Sequence, residues 1–126
     1  ANQLRAELNH LALLLSLDNR TNEAAQLATR LEPKITRLPP DRTGIEARLN
    51  FANSLLRLQK AGQPGSSATE LLTVAVDQAK SLNDSRLVGN ALGNLGRAQE
   101  QNNQLTQAQT STESALLAAK SANARE

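Results

Sequence analysis

Cysteine, methionine, tryptophan and tyrosine are all missing from this chain, and Phe51 is its only aromatic residue. Without cysteine there are no disulfides and no thiolate ligands, and the sequence says nothing about redox compartment. Without aromatics there are no stacking platforms of the kind that single-stranded nucleic acid uses. Histidine occurs once, at His10, so there is no His/Cys cluster to hold zinc. An Asp-rich loop of EF-hand form is also lacking. A strong excess of one charge is absent as well: fourteen Lys and Arg face twelve Asp and Glu, for a net of +2. Nucleic-acid binding, which calls for a dense basic surface, is therefore not expected. The longest apolar runs, residues 11–15 and 115–119, are far shorter than the roughly 20 residues a membrane helix needs. No stretch pairs a basic face with large apolar groups, so a membrane-surface helix is not expected either.

What is present is leucine and alanine, both strong helix formers, while the β-branched and aromatic residues that favour strands are scarce. The fold class is all-α. The 126 residues suffice for one domain, which at this size buries roughly two-thirds of its unfolded surface. The core must be built from Leu, Ala, Val and Ile. The chain begins with Ala, contains no Met and shows no signal-peptide pattern, and it reads as a piece of a longer protein.

Breaker residues divide the sequence into six helical stretches. Asp18-Asn19-Arg20, Leu38-Pro39-Pro40, Ala61-Gly62-Gln63-Pro64-Gly65, Asn83-Asp84 and Gln101-Asn102-Asn103 mark the junctions. Helices are predicted at about 2–17, 21–37, 42–60, 66–82, 85–100 and 105–122. Ser67 and Glu70 have capping-box spacing, and Asp84 stands where an N-cap would. Leu4, Leu8, Leu11 and Leu15 recur at helical spacing, as do Leu71, Leu72, Ala75 and Ala79.

The chain also repeats itself. Ala79-Lys80-Ser81-Leu82-Asn83 returns forty residues later as Ala119-Lys120-Ser121-Ala122-Asn123. Leu8-Asn9 and Leu14-Leu15-Ser16-Leu17 are answered by Leu49-Asn50 and Leu55-Leu56-Arg57-Leu58. The unit is about forty residues with two helices, and three units fit, at about 1–40, 41–83 and 84–126.

The third unit reads Ala91-Leu92-Gly93-Asn94-Leu95-Gly96, then Leu105, Ala108, Ala115 and Leu116. This resembles a tetratricopeptide repeat (TPR), whose small residues let the two helices of a hairpin approach closely. Leu8, Leu11, Ala12, Leu15, Ala24 and Leu31 match in the first unit, and Phe51, Ala52, Leu55, Leu72 and Ala75 in the second. The family's aromatic positions are mostly replaced, as by Gln99 and Thr112, and the proline that often follows the second helix is missing from units two and three. The run Ala75-Val76-Asp77-Gln78-Ala79-Lys80-Ser81-Leu82-Asn83-Asp84, with residues 90–96, 38–43 and 47–52, is similar to arrays preceding a C-terminal CHAT domain. CHAT is a caspase-like peptidase domain, and such arrays occur in large bacterial, especially cyanobacterial, proteins.

The resemblance implies an α-solenoid of about three antiparallel helical hairpins with a right-handed superhelix, and a protein-binding or scaffolding role, regulatory toward such a domain. It places the first helix of each hairpin along a concave groove. On this chain that means Asn9, Leu13 and Ser16; Asn50, Asn53, Leu56 and Arg57; and Asn90, Asn94, Arg97 and Glu100. Asn amides both donate and accept, so they suit a peptide backbone, and Arg57 and Arg97 suit carboxylates. A passive spacer between flanking domains is the alternative. The hydroxyls sit in no recognisable nucleophile motif, so neither enzyme activity nor a cofactor is expected. Gly89, Gly93 and Gly96 lie within a helical pattern and read as close-packing positions rather than a phosphate loop.

Two surface expectations complete the reading. Residues 30–60 hold seven Lys and Arg against three Asp and Glu, a mildly basic middle read as a solvated helix face. The last helix carries Ala115, Leu116, Leu117, Ala118, Ala119 and Ala122, an apolar breadth that predicts self-association through that helix.

Overall fold

The computed structural model describes residues 2–17, 19–63 and 68–125. Six α-helices follow in order: α1 (Asn2–Leu15), α2 (Thr21–Thr36), α3 (Arg42–Lys60), α4 (Ala68–Ser81), α5 (Ser85–Gln101) and α6 (Leu105–Arg125). Among the described residues there is no strand, and the chain is all-α. The expected starts of five helices hold. Ser67 of the capping box, Asp18, Pro64 and Gly65 of the junctions, and Ser66, where the fourth helix is expected to begin, lie outside the described residues.

Local chemistry sets the ends. Asp84 caps α5 by accepting from Leu87 N at 3.1 Å, and Asp41 caps α3 by accepting from Gly44 N at 2.8 Å. Helices α3 and α5 stop in the same way. Gly62 and Asn103 take positive φ, 91° and 61°. Beyond them Gln63 N donates to Leu58 O and Gln104 N to Gln99 O. This is the left-handed exit that frees a helix of its last carbonyls, and Gly and Asn enter it at least cost.

Each helix packs on its neighbours in sequence, and α1 also packs on α3, and α3 on α5. Helices α2, α4 and α6 make no such contact with one another. One apolar core runs through the chain, with Phe51, Leu11, Leu31, Ile35, Ile45 and Leu72 fully buried. The seam of α1 is centred on Leu8, Leu11 and Leu14, and Leu4 and Leu15 only flank it.

The hairpins differ in tightness for a reason visible in side-chain size. Leucines of α1 and α2 hold those helices apart, whereas α5 and α6 pack more extensively than any other pair. A Cβ on Gly96 would sit 3.0 Å from Thr112 Oγ1, and one on Gly89 would sit 3.5 Å from Ala115 O. Gly93 has nothing within 4 Å of its Cβ position, so the close-packing expectation fails there: it faces an open surface. Ser111 Oγ donates to Gln99 Oε1 at 2.6 Å, a polar bridge between α5 and α6.

A network of amides ties α5 and the turn after it to α3 and α4. Gln101 Nε2 donates to Leu56 O at 2.9 Å and to Gln59 Oε1 at 3.1 Å. Gln59 Nε2 donates to Asn102 Oδ1 at 2.6 Å, and Asn102 Nδ2 reaches Thr69 Oγ1 at 3.4 Å. At the other end Arg42 meets Asp84 at 3.3 Å.

Candidate functional site

The row of α1, α3 and α5 repeats in register. Aligning Leu8-Asn9 with Leu49-Asn50 and then with Gly89-Asn90 puts Asn9, Asn50 and Asn90 at one position along the three helices. One turn further lie Ala12, Asn53 and Gly93, and one turn beyond that Ser16, Arg57 and Arg97. Burial follows the same rhythm: the order of buried and exposed residues over 51–60 recurs without change over 91–100.

Three hollows open along this row. Leu4, Leu8, Asn9, Leu38, Ala47 and Asn50 line the first, about 230 Å³ between α1 and α3, with Arg5, Thr43 and Glu46 at its edge. Leu49, Asn53, Gly89, Asn90, Gly93, Asn94 and Arg97 line the second, between α3 and α5. Asn53, Leu56, Arg57, Lys60, Arg97 and Gln101 line the third, which shares Asn53 and Arg97 with the second.

All seven groove candidates border these hollows. Asn9 and Asn50 meet in the first, Asn53, Asn90, Asn94 and Arg97 in the second, and Arg57 joins Arg97 in the third. Asn9, Asn50 and Asn90 are exposed, so their amides are open to a ligand. Asn94 differs: it is buried, and its Oδ1 accepts from Arg97, so it holds the guanidinium rather than offering a free amide. Of the additional positions, Leu13 and Ser16 are exposed, and Leu56 is buried beneath the third hollow.

Two members of the site lie outside the expected set. Lys60 brings a third cation to the hollow of Arg57 and Arg97, and Gln101 supplies an amide. Both are legible from helical spacing, since residues three or four apart share a face: Lys60 follows Arg57 by three and Gln101 follows Arg97 by four.

The basic middle is not one patch. Lys34 pairs with Glu7 at 3.1 Å on another face, and Arg42 is held by Glu46 and Asp84. Arg48 departs furthest from the solvated-face expectation. It is buried, and its guanidinium donates to Pro39 O at 3.2 Å and to Leu38 O. Burial lowers its pKa from the usual arginine value, and the carboxylate of Asp41 opposes that shift.

His10 is exposed on α1, and among the described residues no three His, Cys, Asp or Glu are grouped to hold a metal. No described helix is long and apolar enough to cross a membrane. Compared with protein-family models, curated proteins and solved structures, the chain shows no significant match to any of them.

Proposed function

We propose that this chain is a non-catalytic protein-interaction module, an α-solenoid of three TPR-like hairpins that binds an extended acidic peptide along α1, α3 and α5. The reading rests on the convergence of Arg57, Lys60 and Arg97 on one hollow in line with exposed asparagines. Adjacent packed helices are roughly 9 Å apart, and an extended chain advances about 3.3 Å per residue. The asparagine rungs would therefore meet a peptide backbone about every third residue. Acidic side chains or a terminal carboxylate would then pair with the arginines, which offer bidentate donors. In a longer protein bearing a caspase-like domain, the ligand would be a segment of that neighbouring domain, and the module would regulate it.

The test is fluorescence anisotropy with labelled peptides of about eight residues, carrying Asp and Glu at varied positions. Wild-type protein should bind acidic peptides, and an Arg57→Ala, Arg97→Ala variant of unchanged helicity should lose that binding. No binding by either protein to any acidic peptide sinks the reading.

A passive spacer has one observation in its favour. The amide network of Gln59, Gln101 and Asn102 fixes one hairpin against the next, as a rigid strut would require. A spacer would tolerate loss of Arg57, Arg97 and Asn53 with no change in anything captured.

A further inference from the structure

We propose that Gly93 is a specificity-determining position of the groove: with no side chain of its own, it lets the backbone of a bound acidic peptide lie directly on α5. The inference rests on the peptide-binding reading above and adds the point at which the ligand crosses. Glycine inside a helix is less favourable than alanine, because it gives up more backbone freedom on folding. Such a position gains from glycine through a positive φ, through close packing, or through the close approach of a ligand. Helix α5 holds three glycines, Gly89, Gly93 and Gly96, and none of them takes a positive φ. Packing on α6 accounts for two. A Cβ on Gly96 would meet Thr112 Oγ1 and Ala108 O, and one on Gly89 would meet Ala115 O and the Cβ of Ala118. At Gly93 no such neighbour lies within 4 Å of the Cβ position. Neither backbone conformation nor packing within the chain calls for glycine at 93, which leaves the approach of a ligand.

The surroundings of Gly93 are polar and cationic. It lines the second hollow with Asn53 of α3 and with Asn90, Asn94 and Arg97 of α5. Asn90 precedes it by three residues and Arg97 follows it by four, so all three share one face of the helix. Helical side chains lean toward the N-terminus of their own helix, so a side chain at 93 would stand over Gly89 and Asn90 and fill the hollow from its floor. Arg97 is exposed, donates to Asn94, and borders the next hollow with Arg57 and Lys60, which are exposed as well. An acidic group held by these three cations, on a peptide whose backbone also reaches Asn90, carries that backbone across Gly93. At the equivalent rung α1 has Ala12 and α3 has Asn53, so only α5 presents bare backbone there.

The experiment compares wild type with Gly93→Ala and Gly93→Gln, using the labelled acidic peptide that wild type binds most tightly in the anisotropy test. Thermal melts of the same proteins run beside it. Both substitutions place a better helix former in α5, so both variants should be at least as stable as wild type. Affinity should nevertheless fall about tenfold in Gly93→Ala, where one added methyl lifts the backbone, and further in Gly93→Gln. Unchanged affinity in either variant overturns the proposal. So does a variant that loses stability together with binding, because the glycine would then serve the fold. The Arg57→Ala, Arg97→Ala variant separates this inference from the reading beneath it. If that variant loses the peptide while both Gly93 variants keep it, the groove binds acidic peptides and the role of Gly93 is refuted alone. If wild type binds no acidic peptide, both fall together.

Discussion

Arg48, inside α3, donates its guanidinium to the carbonyl oxygen of Pro39 at 3.2 Å, and so ties the middle of one helix to the loop that leads into it. The fork also reaches Leu38 O, so two carbonyls that follow α2 find their donors in one buried side chain. Truncating Arg48→Ala would leave both carbonyls without that partner. A loss of about 2–3 kcal/mol in urea unfolding is expected, because hydrogen bonds from a charged donor contribute more than neutral ones and the side chain that makes them is buried. Arg48→Lys should recover little of it, since an ammonium lacks the planar fork.

Two glycines should respond to alanine in opposite directions. A Cβ at Gly44 would collide with the Pro39 carbonyl, which is backbone in the same tether, so Gly44→Ala should cost about 1–3 kcal/mol. Gly93 meets nothing within 4 Å and lies in a helix, so Gly93→Ala should stabilise by about 0.5–1 kcal/mol. Thermal melts of the two variants beside wild type decide both.

Asp84 has two separable roles, a cap on Leu87 N and an ion pair with Arg42. Asp84→Asn keeps a capping oxygen and gives up the charge, so it should cost less than about 1 kcal/mol, in keeping with a pair whose arginine is largely exposed. Asp84→Ala removes both and should cost about 1–2 kcal/mol. Equal losses in chemical denaturation would show that the cap contributes nothing.

Gln101 joins the second and third hairpins through Leu56 O and Gln59. Gln101→Ala should cost about 1 kcal/mol and raise amide hydrogen exchange at the C-terminal ends of α3 and α5. Exchange in α1 and α2 should stay as it was, because neither helix touches α5.

Much of this architecture was written in local patterns. Breakers marked the junctions because turn chemistry is local, and the leucine and alanine spacing gave the helices for the same reason. The forty-residue echo paired Asn9 with Asn50, and the resemblance to a known repeat added Asn90 and the arginine pair to the same row. What escaped was decided by neighbours distant in sequence. Arg48 looked like one more surface cation, and only the approach of residues 38–40 makes it a buried donor. Asn94 looked like a free amide, and its burial beside Arg97 makes it a brace. Gly93 matched Gly89 and Gly96 in type, but a rotation of about 100° per residue turns it toward the hollow instead of α6.

Helices α2, α4 and α6 do not touch, whereas α1, α3 and α5 do. Helix α2 is held instead by α1 and α3, and α4 by α3 and α5, so these two helices act as wedges between the helices on either side. A hinge between α1 and α3 would have to break the packing of α2 on α3, and one between α3 and α5 that of α4 on α5. A ligand that bridges Asn50 and Arg97 would thus meet a surface whose spacing is already set by the wedged helices, and would lose little freedom of the protein on binding.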